Sequence, residues 1–318
     1  MIEVVAFAGG VGGSKLAHGL SMTMPPENLT IIVNTGDDFT HFGLKVCPDL
    51  DTVCYTLADL ANHETGWGRK DEAWTAMQSV QQLGGATWFK LGDRDLGTHL
   101  ERTHRLNSGQ TLSQITSDFS QAWNIEARVL PMSDNDVPTI VITDEGELPF
   151  QEYFVARRCE PRVSAFRFEG IEKALPAPGV LDAIESADVI IFCPSNPWVS
   201  IGPILALPGV RQSLRDKLVV AVSPIIGGEV VKGPAAKMFA DFGIKPSALA
   251  VAQHYQNLLD GFIFDQLDRS YRSDIKALGM RAFSTDTLMN SVKDRRTLAQ
   301  KILRFCQELI VPSGLGSG

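Results

Sequence analysis

Short apolar runs that end in glycine, proline or asparagine recur along the chain, and several of the segments between them carry apolar residues at helical spacing. The first run, Val4-Val5-Ala6-Phe7, leads into Ala8-Gly9-Gly10-Val11-Gly12-Gly13-Ser14-Lys15-Leu16 and a helical stretch to about Leu20. A second, Leu29-Thr30-Ile31-Ile32-Val33, ends at Asn34-Thr35-Gly36-Asp37-Asp38. Two strands joined through a helix, with glycine-rich exits, predict a βαβ start and hence a parallel sheet with a right-handed crossover.

The rhythm changes between about Leu44 and Phe168, where helices come first and a short strand group follows. Leu50, Val53, Cys54, Leu57 and Leu60 recur at helical spacing behind Pro48-Asp49, and Trp74, Met77 and Val80 mark a second helix. Thr111-Leu112-Ser113-Gln114 reads as a capping box opening a helix with Leu112, Ile115, Phe119 and Ala122 on one face. Thr139–Thr143 and Leu148–Val155 flank Asp144-Glu145-Gly146-Glu147, a hairpin signal. After Pro176-Ala177-Pro178-Gly179 the alternation returns: Val189–Phe192 and Leu218–Val222 are continuous apolar runs of strand length, as expected where helices cover both sheet faces. Weaker strands are expected near Leu249–Val251 and Phe262–Phe264. The expected fold is therefore α/β: a doubly wound, mostly parallel, Rossmann-like sheet from residues 1–43 and 172–318, with a mainly helical insertion over 44–171.

Composition narrows the partners. With 318 residues, 44% of them hydrophobic, the chain has the make-up of an ordinary globular protein. The formal charge of −8 argues against a nucleic-acid partner, which needs a Lys/Arg excess. A small phosphorylated ligand remains open, since a local site can be positive or can recruit a divalent cation. No apolar run reaches a membrane span, and the N-terminal segment reads as a buried strand rather than a signal peptide. Five widely spaced cysteines without a CxxC point to a reduced, cytoplasmic protein.

Three features carry candidate chemistry. The glycine turn matches neither a P-loop, since Lys15 follows Ser14, nor a dinucleotide fingerprint, since Lys15 stands where the last glycine belongs. It still offers backbone N–H groups at a helix N-terminus, with Lys15 as an added charge, and so reads either as a phosphate contact or as a tight turn that permits close packing. The second feature is a carboxylate set: Asp37 and Asp38 at a strand's carboxyl end, Asp49 and Asp51 opening a helix, Asp93 and Asp95 in a polar loop. Each alone reads as a cap or turn former. Together, beside a phosphate-binding turn, they are the hard oxygen ligands that Mg²⁺ takes. Third, Pro194-Ser195-Asn196-Pro197 with Ser200-Ile201-Gly202, and Ser223–Gly228, place polar loops after neighbouring strands, where open α/β sheets bind ligands. The six histidines show no zinc spacing and are expected in structural or surface roles, and Trp67, Trp74 and Trp88 in core packing rather than ligand stacking.

These elements together resemble the 2-phospho-L-lactate transferase family of coenzyme F420 biosynthesis, including its bacterial phosphoenolpyruvate transferase branch. The resemblance rests on Ala8–Gly13, Asn34–Asp38, Cys47-Pro48-Asp49-Leu50-Asp51-Thr52, Lys90-Leu91-Gly92-Asp93-Arg94-Asp95 with Thr98-His99, Leu130–Asp134, Pro194–Pro197 with Ser200–Gly202, and Ser223–Gly227, in family order over nearly the whole chain. It implies transfer of a phosphorylated three-carbon acid from a GDP-linked donor to the terminal ribityl hydroxyl of the deazaflavin Fo, with release of GMP, Mg²⁺ dependence and a homodimer. By the same resemblance Asp51 lies at the acceptor hydroxyl, orienting it, taking its proton or ligating Mg²⁺, and Asp38 lies near the metal and diphosphate. Lys90 is implied on the acceptor side; Gly10, Gly12, Gly13, Ser195, Asn196, Ser200 and Gly227 are implied on the nucleotide side. The flat deazaflavin is expected between the sheet's carboxyl edge and the insertion. The competing readings are a non-catalytic nucleotide-sugar sensor of the same superfamily and an NAD(P)-dependent oxidoreductase. The resemblance favours phosphoenolpyruvate as the acid.

Overall fold

A computed structural model describes residues 2–62, 64–230 and 233–310. The strands are β1 (Val4–Ala8), β2 (Leu29–Val33), β3 (Phe39–His41), β4 (Leu44–Val46), β5 (Arg128–Pro131), β6 (Thr139–Thr143), β7 (Gly146–Pro149), β8 (Val163–Phe168), β9 (Val189–Phe192), β10 (Leu218–Val222), β11 (Ile225–Ile226), β12 (Glu229–Val230), β13 (Gly261–Asp265) and β14 (Arg281–Thr285). The helices are α1 (Gly10–Ser21), α2 (Pro48–Leu57), α3 (Thr75–Gln82), α4 (Asp93–Asn107), α5 (Leu112–Ala122), α6 (Val180–Ser186), α7 (Gly202–Ala206), α8 (Val210–Ser213), α9 (Ala235–Asp241), α10 (Ala248–His254), α11 (Arg272–Ala277) and α12 (Val292–Ile310).

Seven strands form one sheet in the order β14-β13-β10-β9-β1-β2-β5, parallel throughout. The order reverses between β1 and β9, so the loops leaving those two strands diverge to opposite faces and open a crevice at their carboxyl ends. The two-residue period of β1 serves both faces: Val5 and Phe7 join the core under α6, α10 and α11, while Val4, Ala6 and Ala8 join the core under α1, α2 and α12. A three-stranded antiparallel sheet, β7-β6-β8, stands beside the main one. Among the described residues no helix is long and apolar enough to cross a membrane.

Several expectations change. β5 lies within the segment assigned to the insertion, yet it pairs with β2 as the edge of the main sheet. That edge position tolerates its terminal Pro131, which has no N–H for a further partner. The segment near Leu249–Val251 is helix α10, opened by the Ser247 side chain accepting from Ala250 N–H, not a strand. Leu60 falls outside α2, which ends before Asp59 in the left-handed region at φ 55°. The second arm of the expected hairpin stops at Pro149, and residues 152–156 turn helical. The capping box at Thr111 and Gln114 forms, but the buried face of α5 is Leu112, Ile115, Thr116 and Ser120; Phe119 is only half-buried and Ala122 is exposed.

Candidate functional site

The crevice at the β1/β9 switch opens into a cavity of about 780 Å³. Its floor is the glycine turn. Gly10 has φ +62°, the left-handed region that favours glycine, and its N–H donates to Asp49 Oδ1 at 2.7 Å. A Cβ on Gly12 would stand 2.2 Å from the Pro194 carbonyl oxygen, and one on Gly13 2.4 Å from Ser195 Oγ. These two glycines therefore let the first turn of α1 lie directly on the loop that leaves β9. Ser195 Oγ closes the same contact, accepting from Gly9 N–H at 3.1 Å and donating to Gly9 O at 2.7 Å. Asn196 spends its side-chain carbonyl on Trp198 N–H at 3.0 Å, capping the next turn. Lys15 Nζ donates to Met289 O at 2.8 Å, which ties α1 to the loop after β14.

Four carboxylates reach the wall: Asp37, Asp49, Asp51 and Asp95. Asp49 accepts from Asn34 Nδ2 at 2.8 Å as well as from Gly10; burial pushes it up to about 6 against those two hydrogen bonds. Asp37 is pushed well above its ordinary value by burial and by the charge of Asp49, and its Oδ1 is buried with no hydrogen-bond partner among the described residues. Asp51 meets the guanidinium of Arg102, whose Nη1 donates to Oδ2 at 3.0 Å and whose Nη2 donates to Oδ1. His99 lies beside it, with Nδ1 3.7 Å from Asp51 Oδ2 and Nε2 3.4 Å from Asp95 Oδ1. Tyr55 donates its hydroxyl to Asp95 Oδ1 at 2.7 Å. Burial raises the Asp95 carboxyl, but His99, Tyr55 and Arg102 together hold it below its ordinary value.

Much of the remaining lining is aromatic. Trp67, Trp88, Phe89, Phe150 and Phe154 all line the cavity. Phe89 packs on Phe39 with ring centroids 4.8 Å apart, and Phe150 stacks on Phe154 at 5.7 Å. All five lining residues come from the segment 44–171 and give the cavity an apolar, aromatic lining beside the strand ends.

Of the residues singled out from sequence, Gly10, Gly12, Lys15, Asp51, Lys90, Ser195, Asn196 and Ser200 converge on this cavity. Asp38, Gly13 and Gly227 are off its wall. Asp38 faces Lys45 Nζ at 3.7 Å and is pushed up to about 7, by burial chiefly, with Lys45 opposing. Gly227 gives its N–H to Asp268 Oδ2 at 2.8 Å. Asp93 takes the bland role, accepting from Thr75 and Ala76 N–H at the start of α3. The tryptophans depart from expectation: Trp67 and Trp88 are 47% and 37% exposed and face the cavity instead of a core. His99 is buried among the carboxylates and lines the cavity. Its signal was present in the spacing Asp95, His99, Arg102, one stripe of a helix, but nothing local says that this stripe faces inward.

A family model described as "2-phospho-L-lactate transferase CofD" matches residues 4–303. A phosphoenolpyruvate transferase of Streptomyces griseus subsp. griseus is 44% identical over 316 residues, covering 97% of this chain and 99% of its own. A 2-phospho-L-lactate transferase of Methanosarcina barkeri is 39% identical over 309 residues, covering 97% and 100%. Among solved structures, a UPF0052 family protein from Bacillus halodurans superposes with a TM-score of 0.63 at 17% identity, covering 95% of this chain and 98% of that one; the likeness is one of fold.

Proposed function

The chain belongs to the 2-phospho-L-lactate transferase CofD family, and from that premise we propose that it transfers a phosphorylated three-carbon acid from a GDP-linked donor to the ribityl hydroxyl of the deazaflavin Fo, releasing GMP, in coenzyme F420 biosynthesis. The observation that supports this most is the joining, in one cavity, of the glycine turn, four carboxylates and an aromatic lining. A nucleotide sensor needs the first of these. Transfer to a planar acceptor needs all three.

In this reading the acceptor hydroxyl's oxygen bonds to the phosphorus of the phospho-acid as the bond to GMP breaks, GMP leaves with the electron pair, and the hydroxyl proton is released to solvent. Such transfers depend on positioning and on neutralising spreading charge more than on a covalent nucleophile. The nucleotide side is the glycine turn with Lys15, Ser195, Asn196 and Ser200; the acceptor side is the aromatic lining with Lys90 and Asp51. Mg²⁺ fits this site. Asp37 and Asp49 both face the cavity, repel each other, and leave Asp37 Oδ1 without a partner among the described residues, so they are the ligands we propose, in place of Asp38, which faces Lys45, and Asp51, which is paired with Arg102. When bound, the cation supplies charge neutralisation at the diphosphate. The protein acts in the cytoplasm, as a homodimer.

The acid is phosphoenolpyruvate on this reading, since the more similar of the two named relatives carries that name. Mass spectrometry of the products formed with phosphoenolpyruvate, 2-phospholactate and 3-phosphoglycerate donors tests it: the enolpyruvyl phosphodiester is expected as the main product, and a preference for either other donor overturns the assignment.

A further inference from the structure

Helices α2 and α4 face each other with two polar stripes, and both stripes are buried. Asp51 and Tyr55 lie four residues apart on α2; Asp95, His99 and Arg102 lie at helical spacing on α4. Arg102 is 2% exposed and is absent from the cavity wall, whereas Asp51 and His99 are on it. One ligand atom each from Asp51, Asp95 and His99 lies within 4.8 Å of the others, the spacing of a metal site. The guanidinium of Arg102 fills that role instead. It is bidentate on Asp51 and also lies against its neighbours, with Nη1 3.3 Å from both His99 Nδ1 and the Lys45 carbonyl oxygen. A permanent, planar cation held on all these partners opposes a second cation at the same carboxylate and fixes the direction in which the remaining lone pairs of Asp51 point.

We propose that Arg102 is a positioning residue which pins Asp51 as a metal-free carboxylate aimed at the acceptor hydroxyl, with the flank of the pair filled by His99 and by Asp95, which Tyr55 holds through its hydroxyl. The inference deepens the transfer reading above and rests on it for the identity of the acceptor. It separates two carboxylate roles within one cavity: Asp37 and Asp49 take the cation, and Asp51 takes the hydroxyl. A lysine at position 102 keeps the charge but loses the planar fork, so it leaves Asp51 neutralised and misdirected.

The test compares wild type with Arg102→Lys, with the charge-free pair Asp51→Asn/Arg102→Gln, and with Asp49→Asn, each checked for folding by circular dichroism. Mn²⁺ binding in the presence of GDP is read by electron paramagnetic resonance, and turnover is read at varied Fo and varied donor. Arg102→Lys is expected to lose about 100-fold in kcat/KM for Fo, with donor KM and Mn²⁺ affinity held to within about twofold. The charge-free pair is expected to lose turnover and keep Mn²⁺; Asp49→Asn is expected to lose Mn²⁺ by roughly tenfold or more. Turnover of Arg102→Lys within about twofold of wild type, or a donor KM raised as much as the Fo KM, overturns the positioning role. Mn²⁺ affinity lost by about tenfold in the folded charge-free pair makes Asp51 a metal ligand and overturns the proposal. If wild type itself turns over no donor, the transfer reading fails, and the Mn²⁺ comparison still decides whether Asp51 binds the cation.

Discussion

Asp38 carries a buried carboxyl whose oxygens find no hydrogen-bond partner among the described residues, and burial pushes it up to about 7 although Lys45 is near. An acid whose folded value stands above its ordinary value of 3.8 adds stability at low pH and loses it as pH rises through the folded value. Asn at this position carries no such dependence. With cations removed by chelation, Asp38→Asn is therefore expected to melt close to wild type near pH 4 and above it at and beyond pH 7, the gap opening between about 4 and 7. Calorimetry across that range checks the sign, and a gap independent of pH contradicts it. Both carboxyls of the Asp37-Asp38 pair were legible as chemistry. Which of them faces the cavity was not, because neighbouring residues of a turn point different ways and the choice is made by Lys45, seven residues on and on another strand. The same limit hid the aromatic lining: Trp67 and Trp88 look like core residues until the loops that carry them are seen beside strand ends.

At the scale of elements, the glycine turn was legible as a strand-to-helix junction, but the sequence left open whether its glycines serve a phosphate or close packing. Gly12 and Gly13 pack against Pro194 and Ser195 and Gly10 stands in the left-handed region, while Gly10 and Gly12 also line the cavity, so packing and ligand contact are not exclusive. Gly12 and Gly10 predict different costs. Gly12→Ala drives a Cβ into a backbone carbonyl and is expected to lose roughly 1–3 kcal/mol; Gly10→Ala has room and pays only for its left-handed φ, about 1–2 kcal/mol. Urea titration of the ligand-free variants measures both, and a Gly12→Ala variant as stable as wild type contradicts the contact with Pro194. The α10 segment was misread because a three-residue apolar run carries no decisive period; the cap at Ser247, three residues before Ala250, was the available signal. β5 was placed with the insertion because nothing local in a short run ending in proline says that it pairs with β2 at the sheet edge.

For the whole molecule, the sheet was legible and its interruption only partly so. The apolar runs of β1, β2, β9 and β10 announced a parallel sheet, and the order reversal between β1 and β9 put the crevice where those strands' polar loops meet. The return of β5 to the sheet divides the expected insertion, since a contact between residues some 100 positions apart in sequence leaves no local trace. The eight surplus negative charges first excluded nucleic acid; the cavity gives four carboxylates a place at its wall. A ligand that binds only the folded state raises its melting temperature by mass action, by about 3 kcal/mol at a hundredfold excess over the dissociation constant, so GDP with Mg²⁺ at one site is expected to stabilise the protein by more than the sum of the two separate effects. Additive shifts in a thermal melt contradict a shared site. The central claim, that one cavity brings a nucleotide-linked phospho-acid to a deazaflavin hydroxyl, is tested most directly by measuring GMP release from the GDP-linked donor with and without Fo in the presence of Mg²⁺. The account predicts GMP that appears only when Fo is present, in equal amount to a new phosphodiester of Fo. Nucleotide that binds but yields no GMP with any of the three donors contradicts it.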